Sequence, residues 1–343
     1  MSKTRIAING FGRIGKMAFK IAMEQHRDAV EIVAVNDPNP VEDAVQGLKY
    51  DSIYREFSYE VSHDENNVIV DGVSIPKLTE MDPAQLPWKD MNVDIVLECT
   101  GVFRTKEGAG KHIEAGAKSV IISAPAKGDN PVTTYVMGVN TAGDLVGEAE
   151  DMIFSNASCT TNCIAPVMEV MNRVFGVEKA MMSTIHGYTA DQRLVDGTHK
   201  DARRARAAAI NIIPTSTGAA IATGQAVPEV NGMFDGMAFR VPVPVGSISD
   251  ITLVLKKDVT VEEVNAALEE AAASERYAGV LGVTTDPVVS SDIIGNKLSS
   301  IVDLPLTKVV GGNLVKVVSW YDNEYGYSNR LVEQAIEVGK DLE

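Results

Sequence analysis

The chain has 343 residues, 45% of them apolar and 23% charged, with a net charge of −16 and only three cysteines. The length suits two domains with a core each, and three sparse cysteines (Cys99, Cys159, Cys163) exclude a disulfide scaffold and favour a reducing, cytoplasmic setting. The charge opposes nucleic acid and anionic membranes, and no apolar run reaches the ~20 residues of a membrane span, so neither partner is expected.

The first half alternates β-rich runs with helical stretches. Strands are expected at Arg5–Asn9, Glu31–Asn36, Asp94–Thr100, Ser119–Ser123 and Met152–Ser155, and helices at Ile14–Met23 and Lys106–Ala115. Runs such as Asp94-Ile-Val-Leu-Glu-Cys are apolar without alternation, as parallel strands covered on both faces are. Residues Glu60–Pro76 read as a polar hairpin with turn signals at Asn66-Asn67 and Asp71-Gly72. This alternation predicts an α/β, doubly wound dinucleotide-binding domain over residues 1–158, completed by a terminal helix within 323–343. Beyond Cys159 the strand-like runs Ala180–Ile185, Ile248–Leu255 and Leu314–Trp320 lie far apart. They are interrupted by a helix opening on the capping-box pattern Thr260-Val-Glu-Glu263. Residues 159–322 therefore read as an α+β catalytic domain with a mostly antiparallel sheet covered on one face. Ser328–Leu342 is an amphipathic helix, with Leu331, Val332, Ala335, Ile336 and Val338 on its apolar face.

Gly10-Phe-Gly12-Arg13-Ile14-Gly15 follows a strand and opens a helix, the setting a dinucleotide needs. Gly10 makes the tight turn, Gly12 bares the backbone to a pyrophosphate, and Gly15 lets helix and strand pack, while the helix N-terminus offers free N–H groups. Asp37 ends the second strand, where a carboxylate accepts ribose hydroxyls and repels a 2′-phosphate, favouring NAD over NADP. A structural glycine turn with a surface Asp is the plain alternative.

Ser155-Asn-Ala-Ser158-Cys159-Thr160-Thr-Asn-Cys163 ends a strand and begins a helix. A thiol at a helix N-terminus has its thiolate stabilised by the dipole and free N–H groups, which makes Cys159 the nucleophile candidate. Cys163, one turn on, reads as core packing and Cys99 as inert. The plain alternatives for Cys159 are a buried free thiol or half of a metal pair with Cys163, but the five histidines show no ligand spacing and no metal is expected. His186 ends a strand-like run and is the candidate base; a lone histidine is otherwise structural. The run from Arg193 to Arg206 concentrates five cations on an acidic chain, as either a solvated face or an anion site.

With the glycine motif, Ser158-Cys-Thr-Thr-Asn162, Thr184-Ile-His-Gly-Tyr-Thr189, Arg203-Arg-Ala-Arg206 and Trp320-Tyr-Asp-Asn-Glu-Tyr-Gly326, the chain resembles the glyceraldehyde-3-phosphate dehydrogenases from end to end. The resemblance implies that Cys159 is the nucleophile and His186 the base. It implies that Thr189 and Arg240 hold the phosphate ester of the aldehyde, that Ser158, Thr160, Thr217 and Gly218 hold inorganic phosphate as co-substrate, and that Arg204 lies close to both. Thr100, Gly101, Ser123, Asn323 and Tyr327 join Gly10, Gly12, Arg13, Ile14, Gly15 and Asp37 as cofactor residues. A homotetramer in the cytoplasm is implied, its basic loop reaching a neighbouring cofactor site.

Some positions depart from the family pattern. Gly197-Thr198 stands where strictly NAD-dependent members have Leu-Pro, and Ala190 where they have Asn, which brings NADP into play against Asp37. Ile221 replaces a usual Lys, and Val243, Val245 and Gly246 replace Thr, Asn and Val. The related erythrose-4-phosphate dehydrogenases, which hydrolyse their thioester, are one alternative. A catalytically silent dinucleotide-binding regulator is another, and a cysteine hydrolase a third, although hydrolysis has no use for a hydride acceptor.

Overall fold

The computed structural model describes residues 3–130, 132–140 and 152–342. The described residues fall into two compact units. One draws on Met1–Tyr135, Thr141–Ala157 and Ser328–Glu343, the other on Val136–Asn140 and Ser158–Tyr327.

The first unit is built on a nine-stranded sheet. Its order runs Thr133–Thr134, Ile153–Ser155, Ser119–Ile122, Ile95–Glu98, Thr4–Asn9, Val30–Asn36, Val73–Leu78, Asn67–Val70, Val61–His63. Every pair as far as Val73–Leu78 is parallel, and the last three strands form an antiparallel meander. Ile95–Glu98 and Ser119–Ile122 are buried at every residue, which is why their sequences show no alternation. The meander turns at Asp71 and Gly72, both left-handed (φ 52° and 76°), the geometry of a primed hairpin turn. From Thr4–Asn9 the chain steps to Val30–Asn36 on one side and later returns to Ile95–Glu98 on the other. That reversal opens a crevice at the carboxyl ends of the strands, where α/β sheets bind ligands.

The described helices of this unit are Arg13–Gln25, Val41–Lys49 and Lys106–Glu114, with the end of the chain contributing the residues of Tyr325–Lys340 from Ser328 on. Val41–Lys49 escapes the sequence reading because it is short. Its buried Val41, Ala44, Val45 and Leu48 nevertheless keep helical spacing, and Glu42 and Asp43 at one end with Lys49 at the other complement the dipole.

The second unit has a sheet in the order Ile213–Ser216, Phe234–Val241, Val177–Gly187, Ser247–Leu255, Leu314–Tyr321, Ser300–Asp303, Leu281–Thr284, with Lys308–Val310 also beside Leu314–Tyr321. It is antiparallel except where Val177–Gly187 meets Phe234–Val241 and where Leu281–Thr284 meets Ser300–Asp303. Helices Cys159–Phe175, Ala219–Ala226 and Val261–Ala273 pack against it. Thr260 and Glu263 form the expected capping box. Ser247–Leu255 alternates buried and half-buried residues along its whole length, the mark of a sheet with unequal faces. Ala219–Ala226, absent from the sequence reading, is small and apolar on nearly every side, so it carries no helical periodicity to detect. The α/β plus α+β architecture stands as expected.

Candidate active site

In the first unit Gly10 takes φ +92°, and a Cβ there would meet the backbone N of Thr100 at 2.6 Å, so turn and crevice wall touch. A Cβ on Gly15 would run into the carbonyl oxygen of Gly10, whereas one on Gly12 would meet nothing within 4 Å. Helix Arg13–Gln25 starts at Gly12 with no side-chain cap and no acid in its first turn, which leaves its N–H groups for an anion. Asp37 is tied into the loop: Oδ2 accepts from Phe11 N–H (2.9 Å), and Oδ1 accepts from Asn39 N–H and Nδ2. These features fit a dinucleotide. Arg13 directs its guanidinium to Asp51 (2.8 Å) and over Tyr54, so its backbone, not its charge, belongs to the loop.

Thr100 is held by a residue the sequence reading passed over. Buried Glu98 accepts from Thr100 N–H and Oγ1–H, and its other oxygen from Asn9 Nδ2 (2.6 Å), with His112 Nε2 at 3.1 Å. Trp88 Nε1–H donates to His112 Nδ1 (2.9 Å), leaving Nε2 to carry the hydrogen toward Glu98. A Glu inside an apolar parallel strand was the available signal, because a buried carboxylate demands partners. Gly101 is left-handed (φ 71°), and Ser123 N–H donates to the Glu98 carbonyl.

In the second unit, Ser158 caps helix Cys159–Phe175, its Oγ accepting from Thr161 N–H (3.0 Å), and Cys159 is the first helical residue. His186 lies near the end of Val177–Gly187, in register with Arg240 on the neighbouring parallel strand. Its Nε2 lies 3.4 Å from Cys159 Sγ. Nδ1 is 2.7 Å from the Gly187 carbonyl and 2.8 Å from Arg240 Nη1, which itself donates to Gly187 O and Thr189 Oγ1. With the hydrogen on Nδ1 the carbonyl is satisfied and the Nε2 lone pair faces the sulfur. Tyr321, another residue not singled out by sequence, sets its ring edge-on to His186 and joins Thr160 (3.0 Å) and Thr184 (2.8 Å) through its hydroxyl.

Burial pushes the His186 pKa down to about 3, with the Arg240 charge adding to the effect, so the ring is neutral at rest. Burial also raises the Cys159 thiol above its ordinary value, against the lowering pull of Arg240, Thr160 and the helix N-terminus. Cys99 and Cys163 are pushed to about 12 by burial, in line with inert thiols.

Around this pair the anion-directed residues connect. Arg204 Nε donates to Thr215 Oγ1 (2.8 Å) and Nη2 to the Ser216 carbonyl (3.3 Å), next to Thr217 and Gly218. Gly218 starts helix Ala219–Ala226 without a side-chain cap. Asp191, missed by the sequence reading, accepts from Thr189 Oγ1–H and Arg204 Nη1–H. Its burial, which raises its pKa, is outweighed by the bond from Thr189 and the charges of Arg240 and Arg204. Asn323 is buried, its Oδ1 accepting from Gly246 N–H (3.2 Å) and Ser247 Oγ–H (3.0 Å), and Tyr327 is buried in the terminal helix. Gly246 is left-handed (φ +94°) and a Cβ there would strike the Ser290 carbonyl, so the departure from the family's Val has a local cause. Ile221 stands 72% exposed on its helix.

A dinucleotide loop on one unit, and on the other a half-buried cysteine beside a buried histidine that Arg240 touches, define a thiol-dependent dehydrogenase. The family comparisons say which kind. Residues 4–106 match the NAD binding domain of glyceraldehyde 3-phosphate dehydrogenase, and residues 158–323 match its C-terminal domain. The glyceraldehyde-3-phosphate dehydrogenase of Thermotoga maritima is 53% identical over 96% of this chain and 97% of its own. That of Streptomyces coelicolor is 51% identical over 98% and 99%, and enzyme 1 of Bacillus subtilis 50% over 98% of each. The chain belongs to the glyceraldehyde-3-phosphate dehydrogenase family. No described helix is long and apolar enough to cross a membrane.

Proposed function

We propose that the protein oxidises D-glyceraldehyde 3-phosphate to 1,3-bisphosphoglycerate, reversibly, with NAD as hydride acceptor and inorganic phosphate as second substrate. The observation that carries this reading is the 3.4 Å approach of Cys159 Sγ to His186 Nε2 beside Arg240.

The Cys159 sulfur bonds to the aldehyde carbon while its proton passes through His186 Nε2 to the carbonyl oxygen, giving a hemithioacetal. His186, neutral again because burial keeps its pKa low, then takes the hydroxyl proton. NAD, when bound, supplies the hydride acceptor at its nicotinamide ring. The acyl group stays on Cys159 as a thioester until phosphate displaces it, and the imidazolium returns its proton to the sulfur. Thr189 and Arg240 hold the phosphate ester. Ser158, Thr160, Thr217 and Gly218 receive inorganic phosphate at two helix N-termini, and Arg204 stands between the two groups. Gly10, Gly12, Arg13, Ile14, Gly15, Asp37, Thr100, Gly101 and Ser123 hold the dinucleotide, with Asn323 and Tyr327 toward the nicotinamide. Asp37 favours NAD by opposing a 2′-phosphate, and Gly197-Thr198 leaves room for some use of NADP.

We assign the domain division to 158/159, with the terminal helix returning to the first domain, and the assembly to a cytoplasmic homotetramer. Support for the tetramer comes from Met181 and Met237, 66% and 47% exposed on neighbouring strands of the second sheet.

Purified protein should reduce NAD only when aldehyde is present, and added phosphate should accelerate turnover and yield an acyl phosphate. Steady turnover to the free acid without phosphate would instead indicate a hydrolysing enzyme, and a preference for erythrose 4-phosphate would indicate the related dehydrogenase. NAD binding without any thioester would indicate a silent regulator.

A further inference from the structure

Beside the glycine loop, on the flank of helix Arg13–Gln25 that faces helix Val41–Lys49, lies a cavity of about 340 Å³, a volume suited to a small ligand. Gly12 and Arg13 of the glycine loop form one edge of it, but none of Gly10, Asp37, Thr100 or Ser123 lines it, so it lies alongside the dinucleotide crevice and not within it. Its wall carries Arg13, Lys16 and Lys20 from successive turns of one helix face, with Asp51, Tyr50 and Ser52 opposite.

The charges in this wall do not cancel. Asp51 is the single carboxylate, and it is occupied: Oδ2 accepts from Arg13, and Oδ1 accepts from Ile53 N–H and Tyr54 N–H (2.8 and 3.0 Å). Lys20 is only 6% exposed, yet among the described residues its ammonium has neither hydrogen bond nor ion pair. Its one close partner is the Phe57 ring, 5.4 Å from the centroid. Lys16 likewise makes no hydrogen bond or ion pair among the described residues, and its chain lies over Gly47, where a Cβ would run into the ammonium. Two ammonium groups thus converge on open space in a protein whose net charge is −16. Burying an ammonium without a partner is costly, and burial does lower the Lys20 pKa, against the weaker pull of Asp51 and Glu24. An anion in the cavity would remove that cost.

We propose that this cavity is an anion site for a phosphate-bearing small molecule, held by Lys20 and Lys16 with Arg13 beside them. The excess of two positive charges matches a phosphate dianion, and the lysines act as point charges that need no planar geometry. The site is independent of the Cys159 chemistry.

The test is isothermal titration of NAD-saturated protein with inorganic phosphate and, separately, with pyrophosphate. The anion sites around Cys159 take phosphate as well, so one further binding event per chain is expected; it is weakened at least tenfold in Lys20→Met and in Lys16→Met and persists in Arg240→Ala, which removes the substrate's own ester site. Binding of phosphate alone assigns a single phosphoryl group, and binding of pyrophosphate only assigns a diphosphate. Lys20→Met should also melt at the same or a higher temperature without ligand, since it removes an uncompensated charge, and turnover at saturating NAD should be unchanged in both lysine variants. Absence of that further event, its persistence at the parent's strength in both lysine variants, or its loss in Arg240→Ala would overturn the proposal. So would a Lys20→Met protein that melts lower or changes its sedimentation, because the lysine would then serve folding or subunit contact.

Discussion

Two helix N-termini, one in each unit, are put to different uses. At Gly12 no side chain caps the helix, and the N–H groups and dipole stay available to an incoming anion. At Ser158 the hydroxyl already accepts from Thr161 N–H, so part of that helix's positive end is engaged before any ligand arrives. A thiol at the second terminus gains less from the dipole than its position alone promises. Burial raises the Cys159 thiol further, while Arg240 and the N–H groups of Cys159 and Thr160 pull it the other way. The same element of structure serves as an anion cradle in one place and as a rigid mount for a nucleophile in the other.

Substitutions can break this comparison, the largest effect first. Cys159→Ser should lower kcat by at least about 10³-fold, because a hydroxyl cannot be activated by so weak a base, while NAD titration by protein fluorescence stays normal. His186→Asn should lower kcat by about 10²–10⁴-fold. Raising the pH should restore part of its activity, since hydroxide can then remove the thiol proton that Nε2 no longer takes.

The glycine loop offers a sharper contrast. Gly15→Ala drives a Cβ against the Gly10 carbonyl and should cost about 1–3 kcal/mol in stability, read by denaturant unfolding, along with loss of NAD affinity. Gly12→Ala meets open space and has an ordinary backbone (φ −78°), so the protein should unfold as the parent does while NAD binds about tenfold more weakly. Equal NAD affinity in Gly12→Ala would break the cradle reading. A last contrast concerns pH. His186 titrates near 3 when folded and near 6.5 when unfolded, so between these values the unfolded chain binds the extra proton. Its contribution should be complete above pH 6.5 and decline as the pH falls toward 3. His186→Asn should flatten that part of a urea-midpoint profile.

Much of the fold and site is legible in the residues themselves. The glycine spacing, the strand–helix alternation and the Thr260/Glu263 box are local signals, each arising from neighbours in the chain, and they survive folding intact. Cys159 and His186 are legible as types. Their conjunction is not, because 26 residues separate them and only the placement of Val177–Gly187 brings Nε2 to the sulfur. Glu98, Asp191 and Tyr321 stayed hidden for the same reason: a carboxylate or phenol declares its role only through what it touches. Helix Ala219–Ala226 stayed hidden because a sequence apolar on every side has no periodicity.

By itself the sequence determined the class of the strongly patterned elements, the chemistry on offer and the family. Tertiary structure decided the surroundings of the nucleophile and the partners of each buried polar group. Periodicity and motif depend on bonds along the chain, whereas a pKa depends on the water and charges that packing removes or brings near, and no local pattern records those.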